Sequence, residues 1–134
     1  MKVLIACEYS GIVRDAFIAE GHDAISCDLV PTESEGPHHQ GDIFDLINHM
    51  ADGYFDLMIA HPPCTHLSVS GARWFPPHTQ LGEVGYKPLY LRFEALGFVD
   101  RLMHADIPRI CIENPLSVVS GFIRKSDQTI QPWQ

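Results

Sequence analysis

Cys64 follows two prolines in the run "HPPCTHLSVSG" at residues 61–71, and its setting suits nucleophilic chemistry. Pro62 and Pro63 restrict the backbone and hold the next residue at the end of a preceding strand. A thiol attacks as its thiolate, and an unperturbed cysteine of pKa about 8.5 is only a few per cent thiolate at neutral pH. A helix N-terminus, or a protonated His61 or His66, would raise that fraction. A metal reading of His61, Cys64 and His66 is open, but their spacing matches no zinc signature. A second candidate is Glu113 in "CIEN", a carboxylate at the end of another apolar run and able to serve as an acid. Glu113 can equally be a strand-end carboxylate paired with Arg109 or Lys125. A third group is the turn "CEYSG", with Glu8, Tyr9, Ser10 and Gly11, together with Asp28 and Asp42 downstream. A dinucleotide turn needs three glycines around a pyrophosphate, and only Gly11 is here, so a ligand without phosphates suits this turn better. Asp28 can accept hydrogen bonds from ribose hydroxyls, and Asp42 from an adenine amino group. The plainer alternatives are a solvated loop acid for Asp28 and a helix cap for Asp42.

The elements that must carry these residues alternate. "KVLIAC" (2–7) reads as a strand buried on both faces, followed by a helix over 11–21 with Ile12, Val13, Ala16 and Phe17 on its apolar face and Arg14, Asp15 and Glu20 on its wet one. "HDAISCD" (22–28) is a second strand, and 30–39 a polar loop. A short strand end leads into a helix over 41–50, and a strand covers 54–63. Residues 64–88 lack periodicity and are rich in Gly and Pro, so they suit a functional or mobile segment, with 65–88 as a natural lid. Leu89, Phe93, Leu96, Val99 and Met103 predict an amphipathic helix over 88–106, and "PRICIEN" (108–114) a further strand. Alternating β and α units imply a parallel sheet with right-handed crossovers, which binds ligands beyond the carboxyl ends of its strands. Glu8, Gly11, Asp28, Asp42, Cys64 and Glu113 all fall at such ends.

The chain of 134 residues fits one domain. No apolar run approaches the ~20 residues of a membrane span, the start is too short for a secretory signal, and none of the four cysteines forms a CxxC pair. A cytoplasmic protein with reduced thiols is expected. The net charge is −8, with residues 1–60 holding two basic and eleven acidic side chains (−9) and residues 61–134 seven basic and six acidic (+1). No basic stripe for DNA is present, so any nucleic-acid contact would use local groups such as Arg73, Lys87, Arg92, Arg124 and Lys125.

"HPPCTHLSVSG" resembles the nucleophile motif of the cytosine-C5 DNA methyltransferases, with Pro62, Pro63, Cys64, Ser68 and Gly71 matching and Thr65 and Leu67 departing. "CIENPLSV" resembles their Glu-Asn-Val motif through Glu113 and Asn114, with Pro115 departing. "LIACEYSGIVRDAFIAEGHD" resembles their cofactor turn through Gly11, Arg14, Ala16, Gly21 and His22, with Cys7, Tyr9 and Ile12 departing. The resemblance covers roughly residues 1–119, and short proteins of this kind are often phage-encoded. It implies a Rossmann-like, doubly wound, mostly parallel α/β sheet of about five strands, truncated relative to a full methyltransferase domain. It implies S-adenosyl-L-methionine (SAM) as cofactor, bound by Glu8, Tyr9, Ser10, Gly11, Asp28, Asp42 and Pro62. It implies DNA or a related nucleic acid as substrate. Cys64 would attack C6 of cytosine, C5 would become an enamine-like carbon able to take a methyl group, and Glu113 would stabilise charge at N3. A base inside a duplex would have to be flipped out. No target-recognition region matches, which leaves open a non-catalytic SAM-binding or decoy module. "HPPC" is also related by position to the motif of the amino-group (N4-cytosine or N6-adenine) methyltransferases. With the sheet cut short, "RICIEN" would lie at an edge and invite self-association or a second polypeptide, with Trp133 covering part of it.

Overall fold

The computed structural model describes residues 1–75 and 87–131, with Ala72 and Arg73 by backbone alone. It divides into two compact units. The first comprises residues 1–62 and 101–114, and the second residues 63–100 and 115–134.

The first unit is α/β. Its five strands are β1 (Lys2–Ala6), β2 (Asp23–Asp28), β3 (His38–Gln40), β4 (Leu57–Ala60) and β5 (Ile110–Ile112). All pair in parallel, in the order β3-β2-β1-β4-β5, as expected for a Rossmann-like sheet. The central strand shows why the apolar runs become strands. Val3, Leu4, Ile5 and Ala6 alternate between the two faces, and all four are fully buried, so both faces are covered. Helix α1 (Ile12–Ala19) covers one of them, where Val13 and Phe17 pack against Val3, Ile5 and Ala24. Helix α2 (Ile43–His49) buries Ile43 and Leu46 on the way from β3 to β4, and Arg101 stacks on its Phe44 with the guanidinium 3.6 Å from the ring centre.

Strand boundaries are tighter than the apolar runs suggested, because each run includes a residue or more of a flanking loop. The third strand corrects the sequence reading. It lies at "HHQ" (38–40), overlapping the end of the stretch expected to be loop, and residues 41–42 link it to α2. Two side-chain placements on α1 also differ. Ile12 is 74% exposed and Arg14 is 0% exposed. The reversal at Arg14 has an electrostatic cause, described below.

In the second unit, the turn after Cys64 leads into a 3₁₀ turn over Val69–Trp74, and Ser68 bridges Ser117. Helix α3 (Leu89–Met103) begins here and ends in the first unit. Its buried residues are Leu96, Val99 and Leu102, while Phe93 is exposed. The stripe thus runs one position short of the Met103 expected from sequence and omits Phe93. A short helix, α4 (Val119–Phe122), follows. Of the expected lid at 65–88, residues 76–86 lie outside the described residues, as does Trp133. No helix of the described residues is long and apolar enough to cross a membrane.

Candidate functional site at the carboxyl edge of the sheet

The strand order reverses between β1 and β4. In sheets of this kind the loops leaving two such strands diverge to opposite faces and open a crevice where ligands bind. The ladder continues one residue past the strands here. Glu8 N donates to Cys27 O (3.2 Å), His61 N to Ala6 O (3.0 Å), Glu113 N to Ala60 O (2.9 Å) and Gly41 N to Asp28 O (2.9 Å). Backbone pairing therefore sets Gly41–Asp42, Asp28, Cys7–Gly11, His61–Pro62 and Glu113–Asn114 in sequence along one edge.

Within the β1–α1 turn, Glu8 is 6% exposed and its carboxylate is already engaged. Oε1 accepts from Val13 N (2.7 Å) and Ser10 Oγ (3.1 Å), and Oε2 from Arg14 N (3.4 Å). Glu8 thus caps α1 from outside the helix and neutralises its positive end. The position a pyrophosphate takes in dinucleotide-binding turns is filled by this carboxylate. Gly11 is in the left-handed region at φ 78°, and a Cβ on it would overlap Ser34 Oγ and lie 2.5 Å from Arg14 Nη2. Its need for glycine comes from the loop packed behind it. Tyr9 is exposed, and its carbonyl accepts from Glu33 N of that same loop.

Arg14 explains the packing. Nη1 donates to Ser26 Oγ (3.2 Å) and Thr32 Oγ1 (3.4 Å), Nη2 to Ser34 Oγ (2.5 Å) and Glu35 O (3.1 Å), and Nε to Asp15 Oδ1 (2.8 Å). A buried guanidinium is tolerable when its donors are satisfied and an acid is near. Sequence reasoning gave Arg14 to solvent by helical periodicity. The usable signal was the Ser, Thr and turn carbonyls of residues 32–37, a set of acceptors suited to one buried cation.

Two carboxylates lie at this edge beside the turn. Asp28 Oδ1 accepts from Val30 N (3.1 Å), and Asp42 Oδ1 accepts from Phe44 N (2.7 Å), capping α2. Among the described residues, Oδ2 of each has no hydrogen-bond partner. Their joint field reaches the neighbouring thiols. Burial first, then the Asp28 charge, with smaller contributions from Cys27 and Asp42, push Cys7 up to about 12. Burial, then Asp28 and Asp42, do the same to Cys27. Cys7 also holds φ 59°, a backbone state uncommon for residues other than glycine. Both thiols are protonated at neutral pH and are poor nucleophiles.

On the other side of the switch point, Pro62 is buried and its carbonyl accepts from Asn114 Nδ2 (3.1 Å). Glu113 does not pair with Arg109 or Lys125 among the described contacts. Its partner is His61, with Nδ1 and Oε2 3.6 Å apart. His61 Nε2 and Asn114 Oδ1 are buried without a hydrogen-bond partner. Sequence reasoning had considered His61 as an activator of Cys64 or as a metal ligand with Cys64 and His66, not as a partner of Glu113.

Cys64 belongs to the second unit. It is half-buried, and its carbonyl accepts from Leu67 N and Ser68 N (both 2.9 Å), which closes a tight turn after the prolines. Among the described residues no group of three or more His, Cys, Asp or Glu side chains comes together as a metal site. A surface depression of about 150 Å³, lined by residues such as Ile47, Tyr54 and Ile107, lies at the opposite, amino end of β4, and none of the candidate site residues lines it. Compared with protein-family models, with curated proteins and with solved structures, the chain matches none.

Proposed function

We propose that this chain is a SAM-dependent methyltransferase that modifies cytosine C5 in DNA or a related nucleic acid through Cys64. The observation that carries the reading is the pair of carboxylates, Asp28 and Asp42, at the carboxyl edge of the sheet near enough to the Cys7 end of β1 to oppose ionisation of its thiol. A cofactor with a ribose and a positive sulfonium suits such an acidic crevice. The helix end closed by Glu8 argues against a phosphate-bearing cofactor there. Asp28 would hold the ribose through Oδ2, Asp42 the adenine amino group, and Glu8 would keep Tyr9–Gly11 in shape. SAM would supply the electrophilic methyl group.

The chemistry of the chain's own residues follows the motif resemblance. The Cys64 thiolate forms an S–C6 bond, and the C5–C6 π electrons move so that C5 becomes nucleophilic while Glu113 hydrogen-bonds N3. After C5 takes the methyl group, loss of the C5 proton expels the thiolate and restores the ring. Protonated thiols at Cys7 and Cys27 leave this role to Cys64 more readily than to either.

Two measurements test the reading. Calorimetry with SAM should find one site. A 5-fluorocytosine oligonucleotide with SAM should give a covalent adduct that maps to Cys64 and is lost in Cys64→Ser. Methyl transfer surviving Cys64→Ser would assign the chain to amino-group methylation. Binding of SAM with no transfer to any nucleic acid would assign it to the non-catalytic module.

A further inference from the structure

In the second unit, Arg92 is a cation without a carboxylate partner among the described residues. Arg92, on the first half of α3, lays its guanidinium over Phe75, with the central carbon 3.8 Å from the ring centre. Its Nε donates to His66 O at 3.3 Å. Nη2 is buried and has no hydrogen-bond partner. Beside it, the His66 ring meets the same Phe75 edge-on, with ring centres 6.1 Å apart, and His66 Nδ1 is likewise buried and unpartnered. Phe75 itself is 6% exposed.

A partly desolvated guanidinium with a buried nitrogen is costly unless an anion or hydrogen-bond acceptors offset it. Among the described residues Arg92 has no carboxylate partner, and burial alone holds its basicity below the usual arginine range. Arg14 shows how this chain treats a structural arginine: every nitrogen has an acceptor, and Asp15 supplies the charge. Arg92 has the anchoring of such a residue through Phe75 and His66 O, while its Nη2 has no acceptor. Arginine's planar fork suits phosphate oxygens, and an imidazole nitrogen can add a donor in the appropriate tautomer or charge state.

We propose that Arg92 and His66 form an anion subsite on the face of Phe75 that takes one phosphate group of a nucleotide or nucleic-acid strand. His66 lies two residues beyond Cys64 in the chain, so a strand held here would be held by the segment that carries the thiol. The subsite stands on its own, because it requires neither methyl transfer nor SAM.

The test follows the side-chain Nε–Hε resonance of Arg92 in the labelled full chain during titration with three probes: inorganic phosphate, deoxycytidine 5′-monophosphate and a methyl-capped dinucleotide carrying only a diester. Deoxycytidine without phosphate is the control. Saturable shifts with a phosphate probe but not with the nucleoside are expected. A monoester preference would identify a nucleotide, and a diester preference a strand. Arg92→Met, which keeps a stem on Phe75, should weaken binding at least about tenfold. Arg101→Met, which removes a ring-stacked arginine from Phe44, should leave it unchanged. No saturable shift with any phosphate probe, or equal shifts with deoxycytidine, overturns the proposal even if Arg92→Met fails to fold. Loss of methylation with the subsite intact would count against the methyltransferase reading alone.

Discussion

Arg14 Nη2 donates to Ser34 Oγ at 2.5 Å, which ties the first helix to the loop after the second strand. The same guanidinium reaches Ser26, Thr32 and Glu35 O, so one side chain satisfies the polar groups of several segments. Arg14→Met should cost about 3–5 kcal/mol in chemical denaturation, the range for removing one member of a buried charged network. Arg14→Lys should rescue little, since an ammonium cannot reach acceptors spread around a planar fork. Gly11→Ala should cost at least about 1 kcal/mol, because φ 78° and the Arg14–Ser34 contact both oppose a Cβ.

Arg14 also sets an acid dependence. Its hydrogen bond and charge hold the Asp15 carboxyl below the ordinary aspartate range. A lowered folded-state pKa contributes stability that is present above the ordinary range and lost as pH falls through the lowered value. The stability difference between wild type and Asp15→Asn should therefore shrink on acidification. A difference that stays constant down to strongly acid pH would show that the pair contributes no such linkage.

The thiols give the opposite dependence. Cys7 and Cys27 are pushed from an ordinary 9.0 to about 12 in the folded chain. A raised folded pKa means that stability is fully present below 9.0 and falls as pH rises toward 12. Unfolding midpoints should drop through that window, and less so in Cys7→Ser. Near pH 8, a thiol of pKa 12 is only about one part in ten thousand thiolate, so peptide mapping after brief alkylation should find Cys64 and Cys111 modified before Cys7 and Cys27.

The central strands were legible from sequence because a strand buried on both faces must be a run of apolar residues, as Val3–Ala6 is. Strand β3 was not, since "HHQ" carries no apolar signal and its place is set by pairing to β2 and by His38 Nδ1 at 2.8 Å from Ser26 Oγ. Helical periodicity placed α1 correctly but not Arg14, because hydropathy alone does not register a loop that can solvate a cation from within. The convergence of Asp28 and Asp42 at the carboxyl edge followed from topology alone. The Asp42 cap was one of the readings open from the sequence, whereas the cap made by Glu8 became visible only in three dimensions.

Capping and ligand binding at Asp42 can be separated. Asp42→Ala should lose about 1 kcal/mol of stability with the α2 cap. Asp42→Ser keeps a capping oxygen and removes the charge, so it should retain stability and lose affinity for SAM if the carboxylate meets the cofactor. Asp28→Asn should weaken SAM binding about tenfold, or about 1.4 kcal/mol, by calorimetry. It should also make Cys7 easier to ionise, because Asp28 is the largest charge opposing it. Faster alkaline alkylation of Cys7 without any change in SAM affinity would separate the electrostatics of the crevice from its proposed ligand.

Strand β5 occupies one edge of the sheet, where the pairing order ends. Its residues Ile110 and Ile112 are half-buried, and Cys111 between them is exposed. The opposite edge, β3, is polar, and His38 is tied to Ser26 and Val30 O. An apolar edge with unpaired backbone groups invites a further strand, whereas a lysine at such an edge discourages one. The chain should therefore self-associate through β5 in the presence of reductant, which excludes disulfide exchange at Cys111. Light scattering across micromolar concentrations should show a mass that rises with concentration in wild type and stays monomeric in Cys111→Lys. The substitution adds its charge at an exposed position and should leave the unfolding midpoint nearly unchanged. A wild-type protein that is monomeric throughout the range would mean that the outer side of β5 is covered by the chain itself.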